Sequence, residues 1–406
     1  MAIKYPPDKL SRSQLIVNNL PVDKNYVING GPGTGKTLLA LQRADRIRSI
    51  FKKEHGRDPQ LLFIVYNRPL QNYLKSIMSL VGLTEDEATT YHSWVWRVNR
   101  EHLDRSPDEL AAFRFDWAKV KEHFRKLRDD GVLKLDHVIL DEAQDLPQDL
   151  VSILHEVSDN ITVFMDDHQM IDEQDHDHDV REIKLTRNRA LQIVADGDPY
   201  RSYALQENHR NSQAIVELAM LFLPDDAIAQ DALNKGGRKP EVLVCDDLGP
   251  FAEEVASYAE NNPDQNIAVF LPSNEEKSSF AELLREYRTV ENGVREYKDG
   301  KQTPNFDPEE RHSVKIFTYR TFKGLEFDAV FMPEIDNAYF SHETQARLNQ
   351  SMVGITRAKE RVFLGCKSLQ KNNSFFLRRL LANQDLVETR VLSTDDTDDD
   401  DDDILF

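Results

Sequence analysis

The stretch "NYVINGGPGTGKTLLALQRADRI", residues 25–47, limits the fold of this chain more than any other. Tyr26-Val27-Ile28 reads as a short buried strand, and a helical pattern runs on from Thr37. Between them lie Gly30, Gly31, Pro32, Gly33, Thr34, Gly35 and Lys36. Glycines there let the backbone turn its N–H groups inward, and Gly30-x4-Gly35-Lys36-Thr37 is the full phosphate-loop pattern. The expected chemistry is ATP binding: the amides and the helix N-terminus cradle phosphates, Lys36 reaches the β/γ oxygens, and the Thr37 hydroxyl meets Mg²⁺. A chance glycine turn is the bland account, and the correct strand and helix on its two flanks argue against it.

Further along comes "LDHVILDEAQD". His137-Val138-Ile139-Leu140 reads as a buried strand of the parallel type, whose end delivers Asp141 and Glu142 to the carboxyl edge of a sheet. Asp141 suits an outer contact to Mg²⁺, and Glu142 suits orienting and deprotonating an attacking water. An acidic pair after a strand is common in loops; beside a phosphate loop it reads as catalytic.

Bulk properties bound the rest. A chain of 406 residues exceeds one ordinary core, so two domains are expected. There is no apolar run long enough to span a bilayer, and the N-terminus lacks the apolar stretch of a secretory signal. Cys245 and Cys366 lie far apart, outside any metal-ligand spacing, which reads as a reduced, cytoplasmic protein. The "DDHQMIDEQDHDHDV" run mixes histidine with carboxylate, but no second cluster completes a metal site. Net charge is −20, and the terminal aspartates carry eight of those charges. Such a chain does not bind nucleic acid nonspecifically, so any nucleic-acid site must be a local groove.

With "GGPGTGKT" before it, "DEAQD" resembles the corresponding motifs of superfamily 1 helicases of the UvrD/Rep type, and the resemblance extends along nearly the whole chain. It implies two RecA-like α/β domains with mostly parallel sheets: 1–205, with a short helical insertion at 98–136, and 206–392. "LSRSQ" resembles the adenine-reading segment and nominates Gln14. "YNRPLQNYL" and "TTYHSWVWR" sit where strand-contacting motifs belong, "ITVFMDDHQ" ends in a γ-phosphate-sensing glutamine, Gln169, and "LQENHRNS" is similar to the Asn-Tyr-Arg-Ser motif. "TYRTFKGLEFD" and "VGITRAKERV" resemble the two second-domain motifs. The likeness implies that Glu326 reads the ribose and Gly324 permits close backbone approach. Arg357 is the finger candidate with Arg210 as a second, both from the second domain. An arginine aimed at the γ-phosphate is worth roughly 10³ to 10⁵ in rate. The alternative for Arg357 is a surface ion pair. Three positions depart from the pattern: His209 replaces the tyrosine that stacks on adenine, Arg320 takes a usual histidine position, and Asp166-Asp167 stands for glycine-aspartate.

Both intervals that carry large insertions in bigger relatives are short here. In 98–136, Phe113, Trp117, Val120, Phe124 and Leu127 form the apolar stripe of an amphipathic helix. Lys121, Arg125 and Arg128 line a neighbouring face, either a solvated side or a basic wall beside a strand. Residues 213–317 are only enough for the second core domain itself, with strands at 240–246, 266–272 and 313–319 and helices at 250–261 and 275–288. The resemblance therefore implies an ATP-driven, single-stranded DNA translocase or helicase moving 3′ to 5′, with RNA less favoured as the track. A strand-gated ATPase switch is the alternative. Base-stacking and phosphate contacts fall on Tyr66, Asn67, His92 and Trp94 in the first domain, and on Thr318 and Arg320 in the second. Aromatic residues at such points are often core.

The chain ends "DDTDDDDDDILF". Residues 393–403 cannot bury apolar area. The tip Ile404-Leu405-Phe406 on an acidic leash is similar to the tail of bacterial single-stranded DNA-binding proteins. That likeness implies partners that recognise such tails; solubility alone would account for the aspartates.

Overall fold

The computed structural model describes residues 10–65, 82–84, 86–111, 114–166, 183–223, 231–287, 293–297, 310–319, 321, 325–370 and 373–392. The chain forms two compact units, one of Met1–Gln213, Leu223–Lys235 and Lys323–Leu325, the other of Ala214–Phe222, Gly236–Phe322 and Glu326–Phe406.

In the first unit the strands are β1 (Tyr26–Gly30), β2 (Leu61–Val65), β3 (Ala88–Thr90), β4 (Glu109–Ala111), β5 (Arg114–Phe115), β6 (Leu135–Leu140), β7 (Ser158–Met165), β8 (Ser202–Leu205), β9 (Glu207–Ser212) and β10 (Asp231–Asn234). Six of them make a sheet of order β3-β2-β6-β7-β1-β8 in which every neighbouring pair is parallel. Its strands are apolar on both faces because helices cover both. Val27, Leu62, Ile64, Val138, Leu140 and Val163 face one core. Ile28, Phe63, Ile139 and Phe164, one residue out of phase, face the other, with Leu39, Ala40 and Ile47 of the helix Lys36–His55. Since all six strands run the same way, the segments after β1, β6 and β7 leave from one edge of the sheet. That shared edge brings the phosphate loop, Asp141 and Asp166 together.

The insertion differs from its expected form. The helix Tyr91–Leu103 continues from the "TTYHSWVWR" segment, β4 and β5 then form an antiparallel hairpin, and the second helix, Trp117–Asp129, starts four residues after Phe113, which lies outside the described residues. Asp116 sets that start by accepting from the Lys119 amide as N-cap. Val120, Phe124 and Leu127 are buried as the stripe requires. Lys121 and Arg125 both pair with Glu156 of the helix Gln148–Val157, at 3.0 and 2.6 Å.

The second unit holds β11 (Glu241–Val244), β12 (Ile267–Leu271), β13 (Val294–Glu296), β14 (Val314–Thr318), β15 (Phe327–Met332), β16 (Ala358–Cys366) and β17 (Glu388–Val391). They form one parallel sheet of order β13-β14-β12-β15-β16-β11-β17. The expected strands and helices appear here, the helices as Leu248–Asn261 and Asn274–Arg285. Phe251, Val255, Phe280, Phe331 and Phe363 lie at the centre of its core. Two mainly parallel, helix-covered sheets are the expected α/β architecture of RecA-like domains. No helix of the described residues is long and apolar enough to cross a membrane.

Residues 206–213 group with the first unit. β9 pairs in parallel with β10 and is hydrogen-bonded to the phosphate loop, which keeps "LQENHRNS" with the first unit.

Candidate nucleotide site

The loop after β1 turns through two left-handed glycines, Gly33 at φ +73° and Gly35 at φ +81°. Gly35 is also the N-cap of the helix Lys36–His55, so that helix presents its N-terminus to the loop. A side chain at Gly33 would run into Asn208 Oδ1 and come within 2.9 Å of Arg210 Cβ. Thr34 Oγ1 donates to Gly31 O at 2.8 Å and closes the turn. Lys36 is buried; its Nζ donates to Gly30 O at 2.7 Å and Gly31 O at 3.1 Å, and lies 3.9 Å from Asp166 Oδ2.

Asp141 follows β6 and is fully buried. Thr37 Oγ1 donates to its Oδ2 at 2.7 Å, while its Oδ1 has no partner among the described residues. Burial, and next the Glu142 carboxylate, push Asp141 up to about 7, against the pull of Thr37 and Lys36. A buried carboxylate oxygen without a donor, beside a threonine hydroxyl at a phosphate loop, fits a hard divalent cation that takes one or two protein oxygens and completes its shell with phosphates and water.

Glu142 adopts φ +52°, a left-handed conformation uncommon for a residue with a side chain. Its carboxylate is bound by Gln144: Gln144 Nε2 donates to Glu142 Oε2 at 2.6 Å, and Gln144 Oε1 accepts from the Asp166 amide at 2.9 Å. The buried Gln144 amide therefore links the segments after β6 and β7. It stands inside "DEAQD", yet its letter carried no sign of this role.

Gln14 is buried against the phosphate loop, donating from Nε2 to Thr34 O at 3.0 Å and accepting the Ser11 amide on Oε1 at 3.1 Å. Asn208, which the motif spacing did not single out, donates from Nδ2 to Pro32 O at 2.9 Å, and its Oδ1 accepts the amides of Arg210 and Asn211. His209 is exposed, with its backbone N–H on Gly33 O at 2.9 Å. Arg210 thus belongs to the unit of the phosphate loop, a correction to its expected origin in the second domain.

The remaining expected residues scatter. Arg357 is buried at the end of the helix Gln345–Thr356, its Nε donating to Val353 O at 3.2 Å and its carbonyl accepting the Phe327 amide. A surface ion pair is thereby ruled out as its setting. Glu326 is half-buried and pairs with Lys359 at 3.7 Å. Thr318 ends β14, buried, its hydroxyl 3.3 Å from that of Thr321. His92 is half-buried and lies 3.9 Å from the Tyr91 ring, centroid to centroid. Trp94 is the clear correction: at 2% exposed and edge-on to Phe124, it is core and offers no face to a base, whereas Trp96 is 41% exposed. The segment is a helix, whose rotation sends 94, 95 and 98 inward. Tyr66, Asn67, Gln169, Arg320, Gly324, Ile404, Leu405 and Phe406 lie outside the described residues, as does the "HDHD" run.

Residues 23–332 match the family described as Schlafen group 3, DNA/RNA helicase domain. The chain belongs to that family. In this Schlafen group 3 domain the matched span takes in the phosphate loop, "DEAQD", β9 and "TYRTFKGLEFD", and it ends before Arg357. Membership makes the chain a helicase-type protein directed at nucleic acid. Among solved structures, it is 21% identical to the C-terminal domain of a possible DNA helicase from Lactobacillus plantarum WCFS1, over 45% of this chain and 98% of that one, with a TM-score of 0.34.

Proposed function

We propose that this Schlafen group 3 domain hydrolyses ATP and uses it to move along single-stranded DNA, in the 3′-to-5′ sense and manner of the UvrD/Rep enzymes whose motifs it resembles. The observation that carries the reading is the Thr37–Asp141 hydrogen bond at a loop of left-handed glycines, with buried Lys36 beside it. Thr37 and Asp141 would hold Mg²⁺, which when bound neutralises charge on the phosphates. The chain's own residues do the rest. Loop amides and the helix N-terminus bind the phosphates, and Lys36 supplies a positive charge that leaves its carbonyl partners for them. Glu142, oriented by Gln144, takes the proton of the attacking water. Arg210, beside Gly33, is proposed to stabilise developing charge. The same part for Arg357 rests on the "VGITRAKERV" segment.

The experiment is ATPase rate against strand length, run with DNA and with RNA. A stepping motor shows a rate that rises with length before levelling; saturation as soon as one site is filled points instead to a strand-gated switch. Lys36→Ala is expected to abolish hydrolysis, and retained activity in that variant overturns the assignment of the site.

A further inference from the structure

Three successive carbonyls of the phosphate loop are held by donors from outside it. Gln14 Nε2 donates to Thr34 O, the His209 amide to Gly33 O, and Asn208 Nδ2 to Pro32 O, at 3.0, 2.9 and 2.9 Å. Gln14 comes from the helix Arg12–Asn18 on one side, and Asn208 and His209 from β9 on the other. A loop that points amides at phosphates turns its carbonyls outward, so fixing those carbonyls keeps the amides converging.

The two holders are themselves joined. Ser13 Oγ donates to Glu207 Oε2. Ser13 precedes Gln14 and Glu207 precedes Asn208, so the bond closes a circuit from helix to loop to strand and back to helix. Burial works to raise the Glu207 carboxyl, but hydrogen bonds from Ser13, Ser11 and backbone amides outweigh it and hold it below its ordinary value. The carboxylate is therefore ionised at neutral pH, and its hydrogen bond to Ser13 is of the stronger, charge-assisted kind.

We propose that Ser13 and Glu207 are positioning residues, a clasp that presets the phosphate loop for a polyphosphate whatever base it carries. The inference rests on reading the loop as the nucleotide site. Neither side chain needs to touch the nucleotide: the pair acts through Gln14 and Asn208, and preorganisation of the loop appears as affinity.

The test uses the full chain and its Ser13→Ala, Glu207→Ala, double and Glu207→Gln variants. Binding of ATP, GTP and inorganic tripolyphosphate is titrated with Mg²⁺ present, and kcat and KM are measured alongside. Each alanine variant is expected to weaken all three ligands by the same factor, about tenfold, with kcat within about twofold. The double variant is expected to be no weaker than the singles, as for two halves of one contact. Glu207→Gln retains most of the affinity, because its amide oxygen still accepts the Ser13 hydroxyl. Ser13→Ala removes only one hydroxyl, so a well-folded variant is at hand even if Glu207→Ala fails to fold. Unchanged affinities, a loss confined to ATP, or additive losses overturn the clasp. A wild type that binds all three ligands but hydrolyses none sinks the ATPase reading while leaving the clasp readable in the binding data.

Discussion

At the scale of single residues, the site divides into groups whose chemistry is written in their letters and groups whose role lies in their partners. Gly33 and Gly35 take the left-handed turn that favours glycine, and lysine, threonine and aspartate are the residue types expected for phosphate and cation. Gln144 and Asn208 announce nothing: an amide in a loop reads the same whether it meets solvent or binds a neighbouring carboxylate. Their function depends on segments brought together by the parallel sheet, as does the Ser13–Glu207 bond, which spans 194 positions of sequence. The amide of Gln144 yields a direct expectation. Gln144→Ala removes the donor that orients the Glu142 carboxylate, so kcat for ATP should fall about 10- to 100-fold while KM stays within about twofold. Steady-state kinetics with and without a DNA strand check it, and an unchanged kcat would show that Glu142 is oriented by something else.

At the scale of elements, the expected strands of the second unit were legible because buried parallel strands are short apolar runs bounded by polar turns. The region after "TTYHSWVWR" was less so. Trp94 and Trp96 fit a strand's alternation as readily as a helix's rotation, and only packing against Phe124 decides between them. The basic face of the helix Trp117–Asp129 was open in the sequence; in the structure Lys121 and Arg125 converge on Glu156. Their charges are thus partly neutralised, and Lys121→Ala with Arg125→Ala should change affinity for single-stranded DNA by less than about threefold and leave the salt dependence of binding nearly intact. Anisotropy titrations over a range of salt measure both. A second element-level contact is Arg57, which grips Asp136 of β6 with two hydrogen bonds of 2.7 and 2.8 Å while the Gln60 amide adds a third. Burial raises the Asp136 carboxyl, but these donors more than offset it and hold it below its ordinary value. A depressed carboxyl stabilises the fold above its unfolded pKa of about 4 and ceases to do so as the pH falls through the folded value. Asp136→Asn should therefore lose about 1 kcal/mol at pH 7, a modest figure because Arg57 is 54% exposed. Denaturant melts at falling pH should show the variant and wild type converging well under pH 4, and a constant gap would mean the loss is one of packing.

At the scale of the whole molecule, two separately cored units share one chain, and the chain crosses between them more than once. Each unit carries its own parallel sheet and buried aromatic centre, so each has the means to unfold as its own cooperative block. The position of Trp94, Trp96 and Trp117 turns this into something a spectrometer can see. All three tryptophans of the protein fall within Met1–Gln213, and the second unit has none. Indole emission during a melt therefore follows the half that carries the phosphate loop alone, whereas far-ultraviolet ellipticity sums over both. Superimposed thermal curves from the two signals would mean the halves stand or fall as one. Curves that part would give each half its own midpoint, and added Mg·ATP should then move the emission curve first.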